Sequence, residues 1–319
     1  MNTNYYIGID LGGSHAAIGL VDDSGNIIAE STLKTQEYKE AADFVEATAN
    51  AIETLLLSNN IGKNLKGIGI GAPNGNFFNG SIENAPNLPW KGFVPLADML
   101  EKRLNLCPVK LTNDANAAAI GELKFGIAKT EGIRDFIMIT LGTGLGSGVV
   151  VDGKLVYGHD GFAGELGHSL VSMNGGRLCK CGRQGCLERY ASATGLAISA
   201  EEALEKSENS MLLAKKGNLS AFDVAEAALA GDKLALKVFD DTAKVLAFVL
   251  ANATTVTSPA AFIFFGGLAN AGELLLSPLR SYFDQYISTV YSGKVRMILS
   301  SIPKNHAAVL GAAALVIEH

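Results

Sequence analysis

The sequence has little of several features that mark particular classes of protein. It contains only four cysteines in 319 residues, too few for a small disulfide-stapled scaffold. No stretch reaches the roughly 18 apolar residues that a membrane span needs. The first residues lack the basic segment and apolar run of a signal peptide. We therefore expect a cytoplasmic protein that does not enter a membrane.

The chain also lacks a dense stripe of lysine and arginine. Its formal net charge is −6, and only 18% of its residues are charged. We therefore expect the main partner to be a small molecule and not nucleic acid or an anionic membrane surface. Hydrophobic residues make up 48% of the chain, enough for a large core. Because single cores seldom grow past about 250 to 300 residues, we expect two domains.

Glycine is in excess, with 36 residues, or about 11% against a usual share of roughly 7%. Many of these glycines lie in turns between predicted strands. A strand at 5–11 leads into Gly12-Gly13, and a strand at 136–141 leads into the turn at 142–146. The repeated unit predicts a duplicated domain plan in which each turn aims backbone N–H groups into a shared cleft. The first turn is not a P-loop or a dinucleotide fingerprint, because both need a helix directly after the glycines.

Helices and strands alternate through the rest of the chain, which indicates an α/β fold. The predicted helices are 38–58, 96–104, 194–206, 222–230, 233–256, 271–285 and 307–317, and further strands are 67–72, 109–111, 261–265 and 294–299. Residues 73–95, rich in Asn, Gly and Pro, form a long predicted loop, and such loops are usually functional.

Two segments carry acidic residues next to predicted strand ends. Asp10 precedes the first glycine turn and could hold Mg²⁺ through water, although a simple hairpin with a turn aspartate fits equally well. Asn113 and Asp114 lie where a strand passes into a helix. Either residue could be a helix N-cap, or Asp114 could accept a proton from a substrate hydroxyl.

The strongest local pattern is Gly164 to His168 followed by Cys179, Cys181 and Cys186. One imidazole and three thiolates suffice for a tetrahedral zinc, and sulfur-rich ligation indicates a structural site. The alternative is a set of buried cysteines without a metal. An ordered zinc loop would fix the flanking carboxylates of Glu165 and Glu188, which suit sugar hydroxyls. His168 could ligate zinc through one nitrogen and offer the other to substrate.

Taken together, these motifs resemble the ROK family of sugar kinases (repressor, open reading frame, kinase) within the actin-like ATPase superfamily. The resemblance spans nearly the whole chain. It rests on the turn at 10–14, the loop Asn84-Ala85-Pro86-Asn87-Leu88-Pro89-Trp90, Asn113-Asp114, the turn at 141–144, Gly164 to His168, the cysteine cluster and Gly266-Gly267. It implies an α/β fold of two ribonuclease-H-like domains around a central cleft.

The resemblance also implies an activity and the residues that perform it. ATP with Mg²⁺ lies on the glycine turns, a hexose lies deeper, and Asp114 is the catalytic base toward the sugar 6-hydroxyl. The implied sugar-binding residues are Asn87, Asn113, Asp114, Glu165, His168 and Glu188. The implied nucleotide-side residues are Asp10, Gly12, Gly13, Ser14, Gly142, Thr143, Gly144, Gly266 and Gly267, and the implied zinc ligands are His168, Cys179, Cys181 and Cys186. Ser14-His15 departs from the Thr-Lys that many members carry, so His15 receives no role.

Substrate choice within the family stays open from the sequence. The segments 71–73 and 87–90 resemble the glucokinase branch, while kinases of N-acetylmannosamine, N-acetylglucosamine or fructose are alternatives. A sugar-sensing repressor of the same family carries an added helix-turn-helix domain, for which a phosphate turn at Asp10 leaves no room. The family further implies a homodimer, and domains at 1–113, with the helix 305–319 packed back on it, and at 114–304.

Overall fold

The structure is a computed structural model that describes residues 3–207, 209–303 and 306–317. Residues 305, 318 and 319, the ends of the predicted terminal segment, lie outside the described residues. The chain divides into two units: residues 1–134, 148–164 and 300–319 group together, as do residues 135–147 and 165–299. The first unit is therefore assembled from three separate stretches of chain.

The first part of the chain builds a five-stranded sheet with helices. Its elements are β1 (Tyr5–Leu11), β2 (His15–Asp22), β3 (Ile27–Lys34), α1 (Ala41–Ser58), β4 (Leu65–Ala72), β5 (Gly75–Asn76), β6 (Ser81–Glu83), β7 (Phe93–Val94), α2 (Leu96–Leu104), β8 (Val109–Asn113), α3 (Asp114–Phe125) and α4 (Ile127–Thr130). The sheet order is β3-β2-β1-β4-β8. β1 and β2 are antiparallel, as are β2 and β3, whereas β4 is parallel to both β1 and β8.

The later part of the chain repeats this arrangement. Its elements are β9 (Phe136–Leu141), β10 (Leu145–Val151), β11 (Lys154–Leu155), α5 (Glu188–Ala191), α6 (Ala193–Leu204), α7 (Ala221–Leu229), α8 (Lys233–Thr257), β12 (Ala261–Phe265), α9 (Glu273–Tyr286), β13 (Arg296–Leu299) and α10 (Ala307–Ala314). The second sheet has the order β11-β10-β9-β12-β13, with β12 parallel to β9 and β13. The duplicated α/β plan predicted from the two glycine turns is confirmed.

The terminal helix α10 lies directly on the first sheet because that sheet offers glycines where the helix crosses it. A Cβ on Gly69 would lie 1.8 Å from the Ala312 carbonyl oxygen, and one on Gly8 would lie 2.0 Å from the Val309 oxygen. Neither position therefore accepts a side chain without moving the helix. The buried faces of β1, β2 and β4 supply the core beneath it.

Most predicted elements are present, and four are confirmed to the residue: the strands at 5–11, 136–141 and 261–265 and the helix at 96–104. The predicted loop at 73–95 instead contains a small sheet of β5, β6 and β7. The single-turn helices α4 and α5 were also unpredicted. Elements of two to four residues are too short to show a periodic pattern of apolar side chains. Within the described residues, no helix combines the length and apolarity that crossing a membrane requires.

Candidate active site and metal centre

Two acidic residues lie at the same edge of the first sheet. Asp10 pairs in register with Gly71 of β4, and Gly71 pairs with Thr112 of β8, two residues before Asp114. A Cβ on Gly71 would lie 3.1 Å from the Ala117 Cβ, so this glycine leaves room for the first turn of α3. The parallel pairing thus brings together two carboxylates that are about 100 residues apart in sequence.

The surroundings of these two carboxylates raise both of their pKa values. Burial is the main cause at Asp10, and the negative charge of Asp114 adds to it, so that the pKa of Asp10 rises from 3.8 to about 6. Asp114 exposes part of its own surface, yet the many protein atoms around its carboxylate reduce its hydration and raise its pKa. Only the backbone hydrogen bonds at its helix start act in the opposite direction. The edge therefore holds two acids that resist ionisation.

Asp10→Asn is expected to stabilise the folded chain above pH 7. Because the folded pKa of Asp10 is raised, the penalty for ionising it is absent below pH 3.8, grows through about pH 6, and is then complete. This rise of the Asp10 pKa corresponds to a penalty of roughly 3 kcal/mol when the carboxyl is ionised. Urea unfolding of both proteins at pH 8 and pH 5 measures this difference. A variant no more stable than the wild type at pH 8, or a gain that does not shrink toward pH 5, would contradict it.

The first glycine turn connects β1 to β2 and faces the loop that carries Asn87. The Gly12 N–H donates to the His15 carbonyl oxygen at 2.9 Å, which closes the turn. Ser14 and His15 are exposed. A Cβ on Gly13 would lie 2.8 Å from the Asn87 carbonyl oxygen, so the second glycine lets the turn and the Asn87 loop come into contact.

The Asn87 loop is held in shape by Lys91 and Trp90. The Lys91 ammonium donates to the carbonyl oxygens of Ala85, Pro86 and Leu88 at 3.3, 3.3 and 2.9 Å. The buried Trp90 indole donates to the Tyr38 carbonyl oxygen at 3.0 Å. These contacts fix the backbone around Asn87, whose own side chain is exposed.

Asn113 and Asp114 have different positions at the start of α3. Asn113 is the N-cap, since its side-chain oxygen accepts the Ala115 N–H at 2.8 Å. One Asp114 carboxylate oxygen accepts from the same N–H at 2.8 Å. The cap interpretation therefore holds for Asn113, while its amide nitrogen takes no part in the cap. Asp114 sits in the first turn, where the positive end of the helix favours a negative charge.

The second glycine turn is bound by Glu188 from the start of α5. A Glu188 carboxylate oxygen accepts the Leu145 N–H at 3.1 Å. The same oxygen lies 2.3 Å from the position that a Cβ would take at Gly144, so a side chain at this position would displace Glu188. The Gly142 carbonyl oxygen accepts from the Ala193 N–H at 2.9 Å. Thr143, between the two glycines, is exposed.

Four side chains converge to form a candidate metal centre: His168, Cys179, Cys181 and Cys186. All four ligand atoms lie within 4.8 Å of one another. The His168 Nδ1 is 3.7 Å from the Cys179 sulfur, and the Cys181 and Cys186 sulfurs are 3.6 Å apart. Ligand atoms on a tetrahedral zinc lie roughly 3.5 to 3.8 Å apart, given bonds of about 2.0 and 2.3 Å. The donor set and spacing therefore fit zinc.

The backbone of this loop is shaped to bring the sulfurs together. Gly182 has a φ of +88°, a conformation that favours glycine, and its N–H donates to the Cys179 carbonyl oxygen at 3.0 Å. Burial opposes ionisation of the Cys181 thiol, but hydrogen bonds from Arg183 and with the Cys179 and Cys186 thiols together outweigh it and lower the pKa of Cys181 to about 6. A thiolate is the form that binds metal.

His168 connects the metal centre to Glu165. While Nδ1 faces the cysteines, Nε2 lies 4.0 Å from a Glu165 carboxylate oxygen. Glu165 is exposed, and the backbone after it is fixed by the Leu166 N–H, which donates to the Ser147 hydroxyl at 3.1 Å. Glu188 lies on the other side of the cluster, 3.9 Å from the Cys179 sulfur. The loop therefore positions both carboxylates.

The Gly266-Gly267 turn lies beside the second glycine turn. Gly266 has a φ of +105°, and a Cβ there would lie 2.6 Å from the carbonyl oxygen of Leu141, the residue before Gly142. Gly267 has open space where a side chain would stand. Both glycines follow β12, which pairs with β9.

The predicted site residues thus form two groups. In the first unit these are Asp10, Gly12, Gly13, Ser14, Asn87, Asn113 and Asp114; in the second unit they are Gly142, Thr143, Gly144, Glu165, His168, Cys179, Cys181, Cys186, Glu188, Gly266 and Gly267. Sequence reasoning missed four residues that hold these segments in place. Two of them, Lys91 and Ser147, are described above; the other two, Thr35 and Gln36, donate hydrogen bonds to the Gly12 and Gly13 carbonyl oxygens. Such residues have no motif of their own, because their partners are distant in sequence or are backbone groups.

Comparison with known proteins places this geometry in a family. The family model described as "ROK family" matches residues 6–319. A glucokinase of Halalkalibacterium halodurans is 36% identical over 99% of this chain and 96% of its own length, and a glucokinase of Thermotoga maritima is 36% identical over 98% and 97%. A solved ROK family glucokinase from Streptomyces griseus in complex with glucose and AMPPNP is 34% identical, with a TM-score of 0.79, and covers 98% of this chain and 99% of that chain.

Proposed function

The chain belongs to the ROK family, and from that premise we propose that it is an ATP-dependent glucokinase. It transfers the γ-phosphoryl group of ATP to the 6-hydroxyl of D-glucose and releases ADP, glucose 6-phosphate and a proton. The names of the similar glucokinases and the glucose and AMPPNP of the similar structure support this activity. The observation in this chain that carries it is the position of Asp114, which begins α3 at the same sheet edge as Asp10 and the first glycine turn.

Asp114 is the proposed general base. Its carboxylate orients the sugar 6-hydroxyl and accepts its proton as the oxygen attacks the γ-phosphorus. Phosphoryl transfer passes through a loose transition state, so orientation of the attacking hydroxyl matters at least as much as removal of its proton. The raised pKa brings Asp114 closer to the working pH, which suits a group that takes up a proton and gives it away again.

The remaining sugar contacts are proposed for polar groups with fixed backbones. Glu165, Glu188 and His168 surround the metal loop, and their oxygens and ring nitrogen accept or donate hydrogen bonds to sugar hydroxyls. Asn113 offers the amide nitrogen that its cap leaves available. Asn87 contributes from the loop that Lys91 holds. Rigid placement of such groups lets a site reject sugars that lack a matching hydroxyl.

The nucleotide contacts are proposed for the three glycine turns. Gly12, Gly13 and Ser14 form one phosphate turn, and Gly142, Thr143 and Gly144 form the second, since turns without side chains let backbone N–H groups approach phosphate oxygens. Gly266 and Gly267 lie on the adenosine side. Asp10 would hold Mg²⁺, and the ion when bound would neutralise charge on the phosphates.

Zinc is the proposed occupant of the metal centre, where it has a structural role. Its four protein ligands leave no open position for a reacting water. The metal fixes the loop that carries Glu165, His168 and Glu188, so its contribution to activity passes through the sugar contacts.

A screen of sugars against phosphoryl donors tests the function most directly. We expect D-glucose with ATP to have the highest kcat/KM among glucose, fructose, mannose, N-acetylglucosamine and N-acetylmannosamine. A higher value for an N-acetylhexosamine or fructose would reassign the substrate within the family. Turnover of none of these sugars would instead favour a sugar-binding protein without catalytic activity.

We also propose a cytoplasmic homodimer. Large apolar side chains lie exposed on the helices of the second unit, among them Phe222 and Leu229 of α7 and Phe248 and Val256 of α8. These exposed apolar side chains are the surface that we propose for the contact between two copies of the chain. Light scattering should give twice the chain mass of 33.3 kDa; a mass of one chain would refute the dimer.

A further inference from the structure

Two residues that follow β3 donate hydrogen bonds to the backbone of the first glycine turn. The Thr35 hydroxyl donates to the Gly12 carbonyl oxygen at 2.9 Å, and the Thr35 backbone N–H donates to the Ser14 carbonyl oxygen at 2.9 Å. The Gln36 side-chain amide donates to the Gly13 carbonyl oxygen. The carbonyl groups of three consecutive turn residues are therefore all bound by Thr35 and Gln36.

These bonds also determine where the N–H groups of the turn point. In a trans peptide, the C=O of one residue and the N–H of the next point in opposite directions. Fixing the Gly12 and Gly13 carbonyls therefore also fixes the directions of the Gly13 and Ser14 N–H groups, each of which points away from the hydrogen bond made by the preceding carbonyl. Consecutive N–H groups that share a side form a binding concavity for anions.

Such external support is needed because two adjacent glycines have little conformational preference of their own. Gly12 and Gly13 lose more backbone freedom on ordering than any other residue pair would. Thr35 is fully buried, so no water can replace its hydroxyl at the Gly12 carbonyl. Gln36 also reaches the Asn87 carbonyl oxygen at 3.4 Å, which connects the turn to the neighbouring loop.

We propose that Thr35 and Gln36 are positioning residues that preorganise the phosphate turn for the phosphates of ATP. The inference rests on the proposed function, under which this turn binds nucleotide. Neither side chain needs to touch ATP. Each acts by holding a carbonyl group so that the following N–H is already aimed at the phosphate when nucleotide arrives, which avoids an ordering cost on binding.

Thr35→Val is the principal test, because it keeps the shape of the side chain and removes its donor. We expect the affinity for MgAMPPNP, measured by calorimetry, and kcat/KM for ATP each to fall about tenfold. Glucose binding without nucleotide should stay within about twofold, because the sugar contacts are made by other segments. Thr35→Ser keeps the donor and loses only a methyl group, so it should be less stable to heat yet bind nucleotide nearly as the wild type does.

Thr48→Val is the matched control. Thr48 is a buried threonine of α1 in the same unit, and its hydroxyl has no hydrogen-bond partner among the described residues. The same chemical change there should leave nucleotide affinity unchanged. Gln36→Leu is a second test at an exposed position, where folding is not at risk, and it should weaken nucleotide binding roughly threefold or more because it removes the side-chain donor without adding a charge.

The possible outcomes distinguish a failure of the positioning role of Thr35 and Gln36 from a failure of the proposed kinase function. If the wild type binds MgAMPPNP and Thr35→Val binds it equally well, the positioning role is wrong while the kinase function stands. Equal losses in Thr35→Ser and Thr35→Val would assign the effect to the methyl group and would also overturn the inference. A wild type that neither binds nucleotide nor phosphorylates sugar would remove the proposed function, and this inference with it.

Discussion

Asp114→Asn is expected to lower kcat by about 10² to 10⁴-fold while glucose still binds. Asparagine has nearly the same shape and keeps an oxygen that can accept the Ala115 N–H, so the start of α3 should remain intact. What it loses is the ability to take the proton of the sugar hydroxyl. Steady-state kinetics together with calorimetric titration of glucose separate the loss of turnover from any loss of binding.

Asp98→Asn provides the control for this change. Asp98 lies in α2 of the same unit, and its exposed ion pair with Lys102, at 2.7 Å, contributes little to stability. The control should keep full activity. Near-normal turnover in Asp114→Asn would refute the base assignment, and an equal loss of glucose affinity and kcat would make Asp114 a binding residue only.

The pH dependence of turnover should report the same residue. Because the pKa of Asp114 is raised, the acidic limb of the kcat profile should lie above the ordinary aspartate value of about 3.9. The base works only when ionised, so activity should fall as the pH falls through that raised value. The limb should be absent from the residual activity of Asp114→Asn.

Cys186→Ser should produce the second large effect, the loss of zinc. We expect elemental analysis to show about one zinc per wild-type chain and almost none in the variant, since a serine hydroxyl is a poor replacement for a thiolate ligand. Cys186 is fully buried, and loss of a structural metal belongs to the few changes that cost about 4 kcal/mol or more. Thermal unfolding should therefore begin at a clearly lower temperature.

The kinetics of the Cys186→Ser variant should show which substrate depends on the loop that holds the metal-ligating residues. Since His168, Glu165 and Glu188 are held around the metal centre, the KM for glucose should rise more than the KM for ATP. Cys107→Ser makes the same chemical change at the lone, partly buried cysteine of the first unit and should retain zinc and activity. A zinc-free wild type that is stable and active would refute the structural role of the metal.

Much of the fold could be predicted because its signals are local. Strands such as 5–11 and 136–141 are apolar runs that end in glycine turns, and the helix at 96–104 has a clear apolar face. The repeat of strand, glycine turn and strand was visible for the same reason. The small sheet of β5 to β7 was not, since strands of two or three residues have no period to detect.

In the candidate site too, the residues with local signals could be predicted and those with distant partners could not. The four residues of the candidate metal centre could be predicted because they lie within 19 residues and belong to types with a strong metal preference. Thr35, Gln36 and Lys91 could not, because each acts on backbone carbonyl groups, and any residue type supplies a carbonyl. Glu188 was predicted as a sugar ligand, but its contact with the Gly144 turn, 44 residues away, appears only in the folded chain.

The sequence by itself therefore determined the alternation of elements, the two glycine turns and the set of metal ligands, because these depend on residues that are neighbours along the chain. The tertiary structure decided that residues 148–164 and 300–317 join the first unit, that Asp10 and Asp114 share one sheet edge, and that Gly8 and Gly69 serve the packing of α10. Part of the glycine excess thus serves helix-on-sheet contact, and another part lies in the turns proposed to bind ligands. Such contacts join residues far apart in sequence, and only the folded backbone brings them within reach.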